Sequence, residues 1–280
     1  MHDIFFFTDI HGRYDLYRAI MDYCQEQDPE AMIIFGGDAC DRGPDGYKIM
    51  KELLDNPQVV YLKGNHEDMF TKAAHELYTT IEIQNPERET IEEFLQGCMY
   101  YNYKFLDIQN SLCNGGLPTL VDWVMDGMPM DFIRKLEQLP LTFSTDTCDF
   151  CHSAGVYNTF KRVADCEYEE KEPTAYDAKA IIWDRSSLDY GWAPNRTAVF
   201  GHTPVTYLPS KYYGKDKSET NIHPCKYLGD WDERFTGMKI DMDTGAAFTN
   251  RAFVLNYLTM KAQGFEMKND SVKKIEVIQF

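Results

Sequence analysis

Along the first third of the chain, short apolar runs alternate with segments whose apolar residues recur every three or four positions. The runs at 3–8 (DIFFFT), 31–37 (AMIIFGG) and 58–64 (QVVYLKG) read as buried strands, and 15–27 (DLYRAIMDYCQEQ) and 46–55 (GYKIMKELLD) read as amphipathic helices between them. Such alternation predicts a mostly parallel sheet with helices packed against it. From Met69 to Leu139 the texture becomes helical, including 90–106 and 117–125, with breaks such as NGG at 114–116. Short strands return at 141–145, 197–201, 238–242, 251–258 and 273–280, and the charged, Gly-containing stretch 214–237 reads as a surface loop. A second sheet packed on the first would close the core. The pattern predicts an α/β fold: a two-sheet β-sandwich flanked by helices, with a helical excursion at 69–139 after the third strand and residues 1–280 forming one domain.

Composition narrows the function. The chain has 280 residues, 44% of them hydrophobic and 26% charged, and no apolar run near the ~18 residues of a membrane helix. A formal charge of −17 argues against nucleic acid as a partner, since that binding rests on clustered Lys and Arg. An anionic substrate needs a strong local positive source, and bound divalent cations are the obvious one. The start, MHDIFFFTD, has no basic region or small-residue cleavage site, so a cytoplasmic protein is expected. Eight cysteines lack the density of a disulfide framework, and Cys148 with Cys151 supplies only half of a structural zinc site, so reduced thiols are expected.

The candidate chemistry sits at strand ends. Asp9 and His11 close the first strand in TDIHG, and burying both costs several kcal/mol unless something pairs with each of them. GGDACDRG at 36–43 and KGNHED at 63–68 close the next two strands; FCHSAG at 150–155 and FGHTP at 200–204 follow later short apolar runs. In open sheets of this kind ligands gather beyond the carboxyl ends of strands. Asp, His and Asn together suit two adjacent divalent metals, and the absence of thiolates points to Mn, Fe, Zn or Mg in a reactive site. Two metals about 3.5–4 Å apart can hold a shared hydroxide and clamp an in-line displacement at phosphorus.

The order DxHG, GDxxDRG, GNHE, a lone His, then GHTP, spanning residues 9 to about 245, resembles the calcineurin-like metallophosphoesterases. Within them it is most similar to PPP-type serine/threonine phosphatases of the short bacterial and bacteriophage lambda kind. The resemblance implies that Asp9, His11 and His202 bind one metal, Asp38 bridges both, and Asn65 and His152 hold the second. It implies two divalent ions, with Mn foremost, and His66 as general acid oriented by Asp41. Arg42 and Arg185 would grip the phosphate, with Arg196, Arg251 and Arg13 as alternatives to Arg185. The implied activity is hydrolysis of phosphoserine and phosphothreonine in proteins by direct attack of metal-bound hydroxide. The alternative is a symmetrical diadenosine tetraphosphate hydrolase or another small-nucleotide phosphohydrolase. The expected partner is accordingly a phosphorylated protein or a small phosphoester, with no membrane involved. Two departures stand out: HSAG replaces the family's HAG, and IDMDTGA at 240–246 replaces IDTGA, which aligns Asp243 with the family aspartate.

Taken singly, these residues have ordinary explanations. His11 or His152 alone is more often a core histidine bonded to a carbonyl, Asp41 with Arg42 a surface ion pair, and Asn65 or Gly201 a turn residue. Independent accidents, however, have no reason to fall at successive strand ends in one order. The aromatic stretch MYYNYKF at 99–105 reads as helix packing, and His2, His75 and His223 receive no role.

Overall fold

A computed structural model describes residues 2–80, 87–100, 104–153, 160–164, 167–170, 175–189, 191–213, 222–229 and 236–280. The first three strands, β1 (Ile4–Phe7), β2 (Met32–Phe35) and β3 (Val59–Tyr61), pair in parallel, with Phe5 opposite Ile33 and Ile33 opposite Val59. Parallel neighbours need a crossover, which α1 (Tyr14–Gln27) and α2 (Gly46–Asp55) provide. All three strands therefore end at the same edge, and their polar turns meet there. On the other side of β1, the antiparallel strands β11 (Arg251–Asn256), β12 (Lys261–Lys268) and β13 (Ser271–Gln279) complete a six-stranded sheet.

A five-stranded sheet runs in the order β4 (Thr142–Ser144), β5 (Cys148–Cys151), β8 (Thr197–Phe200), β10 (Met238–Asp241) and β9 (Cys225–Tyr227). Its three central strands β5, β8 and β10 are parallel, so His152, His202 and Asp243 also follow carboxyl ends. The strands β6 (Phe160–Ala164) and β7 (Glu167–Glu170) form a separate hairpin.

The sheets face each other across an apolar layer. Phe6, Ile34 and Leu62 of one sheet and Phe150, Val199 and Ile240 of the other share this cluster, and the Phe6 and Phe150 ring centroids lie 5.4 Å apart. Phe5 and Phe7 point the opposite way and pack with Leu16 and Ile20 of α1. A strand covered on both faces has no reason to alternate apolar and polar residues, which explains the unbroken FFF run. Each such buried Phe is worth about 1.5–3 kcal/mol of transfer free energy.

The helical excursion comprises α3 (Asn65–Thr80), α4 (Arg88–Cys98), α5 (Leu106–Cys113), α6 (Leu117–Met125) and α7 (Met130–Glu137). Phe70, Leu95, Ile108, Trp123 and Phe132 bury it against the α1 and α2 side of the core. The single helix expected over 90–106 is instead two helices, α4 and α5. Of the aromatic stretch between them, Phe105 is buried but Tyr100 is 86% exposed, and residues 101–103 lie outside the described set. Arg42 N–H donates to Gly115 O (2.9 Å) and Asp41 N–H to Thr119 Oγ1 (3.0 Å), so the NGG break and the first turn of α6 brace the Asp41–Arg42 turn.

Part of the predicted loop 214–237 is corrected: Cys225–Tyr227 is the edge strand β9, with Cys225 and Tyr227 buried, while 214–221 and 230–235 lie outside the described residues. Cys148 and Cys151 are both buried but fall in different apolar clusters, as strand alternation requires, so they form no chelating pair. The remaining helices are α8 (Ala175–Trp183), α9 (Ser210–Tyr213) and α10 (Ala246–Thr249). Among the described residues no helix is long and apolar enough to cross a membrane.

Candidate metal centre

The turns after the parallel strands are held in a conformation that side chains rarely adopt. Asp9, His11, Asp38, Asp41, Arg42 and His202 all have φ between 44° and 70°. Left-handed backbone at non-glycine residues costs about 1 kcal/mol or more each and persists only where the surroundings impose it. Here Asp9 N–H donates to Gly37 O, His11 N–H to Asp38 O and Gly12 N–H to Ala39 O, at 2.8–3.0 Å, locking the first turn to the second. Glu67, for which no role was expected, fastens the second turn to the third. Its buried carboxylate accepts from the N–H groups of Asp38, Ala39 and Gly64 and from Tyr61 OH at 2.8–2.9 Å. Glycine is required beside these groups: a Cβ at Gly64 would strike the Asp38 carboxylate, and one at Gly201 the Asp9 carboxylate.

Of the expected ligand residues, the side chains of His11, Asp38, Asn65, His152 and His202 come together, whereas the Asp9 carboxylate joins neither group of ligand atoms among the described residues. Asp9, His11, Asp38, Asn65, His152 and His202 are all buried. Ligand atoms of His11, Asp38 and His66 lie within 4.8 Å of one another, as do those of Asp38, His152 and His202, so Asp38 belongs to both clusters. His202 corrects the expected partition. Its ring falls with Asp38 and His152, and its Nδ1 lies 2.8 Å from Asn65 Oδ1; only its backbone N–H reaches Asp9, at 3.0 Å to Oδ2. The reason is topological, because β8 lies next to β5, the strand that delivers His152. Asp9 Oδ2 also accepts from Thr8 Oγ1 at 2.6 Å. Asp243 stands beside Asp9, and burial together with the Asp9 charge pushes its carboxyl well above the usual range.

Ring orientations fit cation binding. His11 donates Nδ1–H to Cys40 O and His152 donates Nδ1–H to Gly36 O, both at 2.8 Å, which leaves the Nε2 lone pairs directed into the cluster. His152 Nε2 lies 2.9 Å from Asn65 Oδ1 and 3.4 Å from Asp38 Oδ1. Burial raises the carboxyls of Asp9 and Asp38, with Asp9 adding to the rise at Asp38, and lowers the imidazoles of His11 and His202. A set of buried carboxylates, imidazoles and an amide oxygen fits one or two divalent cations.

Beside this set stands a proton-bearing pair. His66 Nδ1 lies 2.8 Å from Asp41 Oδ2, and both groups are buried. Burial pushes the Asp41 carboxyl up to about 7, and burial plus the Arg42 charge lowers His66. Arg42 donates to His11 Nε2 at 2.7 Å and to His66 Nε2 at 3.1 Å, placing its guanidinium at the mouth of the cluster.

The arginines divide into two groups. Arg18, Arg88, Arg134, Arg196 and Arg251 each pair with a carboxylate. Arg13, Arg42 and Arg185 make no ion pair among the described residues. Arg185 Nη2 reaches His202 O at 3.5 Å, and its charge lowers both His66 and His202. Arg196 and Arg251, the alternatives to Arg185, are tied to Asp149 and to Glu266 with Glu276. Of the HSAG turn, Ser153 is described and bonds to Ile181 O, while 154–159 lie outside the described residues.

No curated protein matches the chain. Among solved structures, a candidate diadenosine tetraphosphatase is 13% identical, with 98% of this chain and 93% of that one covered and a TM-score of 0.43. A cold-active protein-tyrosine phosphatase of a psychrophilic Shewanella species is 14% identical, with 99% and 81% covered and a TM-score of 0.43. A protein serine/threonine phosphatase from Saccharomyces cerevisiae is 14% identical, with 100% and 81% covered and a TM-score of 0.43. The model of the calcineurin-like phosphoesterase family matches residues 2–223, well over half of the sequence, and the chain belongs to that family.

Proposed function

We propose that the chain is a metal-dependent phosphomonoesterase that removes phosphate from phosphoserine and phosphothreonine in proteins. Asp9, His11 and Asp38 would hold one cation, and Asp38, Asn65, His152 and His202 the second, with Mn the expected metal. When bound, the two cations supply Lewis-acid charge at the phosphate and an activated water.

The observation that carries the monoester reading is the Asp41–His66 contact at 2.8 Å. A serine or threonine alkoxide is a poor leaving group and needs a proton as the ester bond breaks. His66 Nε2 faces the mouth of the cluster, and Asp41 on the far side of the ring stabilises the imidazolium that must form. Arg42 and Arg185, which make no ion pair among the described residues, would take the non-bridging oxygens. Arg42 would exchange its two imidazole lone pairs for two phosphate oxygens, which the planar, forked donors of a guanidinium can meet together. A dry, buried setting strengthens each of these interactions.

The test is phosphate release from p-nitrophenyl phosphate, a phosphoserine peptide and diadenosine tetraphosphate by metal-stripped protein with and without Mn. Mn-dependent turnover of the peptide, lost in Asp38→Asn, supports the proposal. A kcat/KM for the dinucleotide at least tenfold above that for the peptide would replace it with the tetraphosphate-hydrolase reading.

A further inference from the structure

One cation of the site has no task in the scheme above. Arg13 follows directly on the Asp9–Gly12 turn and, like Arg42 and Arg185, makes no ion pair among the described residues of a chain with a net charge of −17. Arg13 and Arg42 line the same cavity of about 300 Å³. Its other lining residues include Tyr14, Met267, Asp15 and Asp45. Gly12 and Gly43 also line it and are in contact with each other, so the two arginines project from turns held together. Beyond Arg42, the ring of Phe248 lies 5.3 Å from the guanidinium carbon and is 71% exposed.

We propose that this cavity is a substrate subsite in which Arg13 binds the carboxylate of an acidic residue close to the phosphorylated one. The proposal rests on the phosphoprotein-phosphatase reading. Arg42 is taken by the scissile phosphate, so a single unpaired cation remains for a second anion. Asp15 and Asp45 would repel a chain of further phosphates, whereas one carboxylate matches one guanidinium. The cavity volume suits one side chain, whose methylenes would lie against Tyr14 and Met267. The enzyme would thereby select acidic sites although the protein as a whole is acidic.

The experiment uses Mn-loaded protein and phosphoserine peptides carrying Glu at one of the two positions on either side of the phosphoserine, each matched by a Gln peptide. Wild type is expected to favour Glu over Gln at one position by about fivefold in kcat/KM, the scale of a single solvent-accessible ion pair. Arg13→Gln should bring that ratio to one, and Arg13→Lys should keep part of it. A wild-type ratio within twofold at every position overturns the proposal, and this arm needs no variant. Persistence of the preference in Arg13→Gln overturns it too, as does a loss in that variant confined to diadenosine tetraphosphate. p-Nitrophenyl phosphate, which has no flanking group, separates the failures: no turnover of it by wild type defeats the hydrolase reading itself.

Discussion

A buried carboxylate in contact with a buried imidazole titrates as a pair. Burial drives Asp41 up and His66 down, which favours the uncharged pair; in the charged arrangement the Asp41 carboxylate holds an imidazolium whose proton can leave through His66 Nε2. Asp41→Asn removes the charge that makes this possible. It is predicted to lower kcat on a phosphoserine peptide by about 10²-fold or more, and on p-nitrophenyl phosphate, whose leaving group hardly needs the proton, by far less. Equal losses on both substrates would remove His66 from the acid role. His66→Asn should leave the number of bound cations unchanged, although its ring nitrogen lies near His11 and Asp38. Single residues were legible where chemistry and position coincide: Asp9, Asp38, Asn65 and His152 each close a strand with a group too polar to bury alone. Glu67 was not, because one glutamate after GNH looks like any first-turn acid; only the fold shows four donors meeting on it. Nor could spacing reveal which cluster His202 joins, since that depends on strand order in the second sheet.

At the scale of elements, rigid strand ends carry the reactive groups and the helical excursion steadies one of their turns. Thr119, in the first turn of α6, accepts the Asp41 N–H, and both residues are buried. Thr119→Val leaves that N–H without a partner and is predicted to destabilise the protein by about 1–3 kcal/mol in urea unfolding. It should also lower kcat on the phosphopeptide while metal stoichiometry stays the same; wild-type kcat would show that α6 only covers the turn. The first five elements and α6 were readable because their apolar periodicity is strong and their ends are marked by Gly, Pro or Asp. β12 was not, since KAQGFEMK is too polar and Gly-interrupted to read as a strand; its form comes from pairing with β11 and β13. The split between α4 and α5 was equally hidden, because the apolar spacing runs on past Cys98, where α4 ends.

For the whole molecule, the site's titrations oppose one another. Asp9, Asp38, Asp41, Asp241 and Asp243 have raised carboxyl values, so the stability they add is full below the unfolded value of 3.8 and is lost as pH rises through the folded ones. His11, His66 and His202 are lowered, so theirs is full above 6.5 and is lost as pH falls. Above pH 6.5 only the carboxyl contribution still changes. Metal-free protein should therefore lose thermal stability from about pH 6.5 to 8, and the rise in Tm produced by Mn should grow over the same interval, because the cations replace protons. A rise independent of pH would mean that the metal binds elsewhere.

The convergence of residues from both sheets on Asp38 is the claim from which the rest follows. Calorimetric titration of metal-stripped protein with Mn, run beside Asp38→Asn, addresses it directly. Two equivalents per chain are predicted for wild type, with binding at both positions weakened by at least tenfold in the variant. One equivalent or none in wild type, or two undiminished sites in Asp38→Asn, would contradict a shared dinuclear centre.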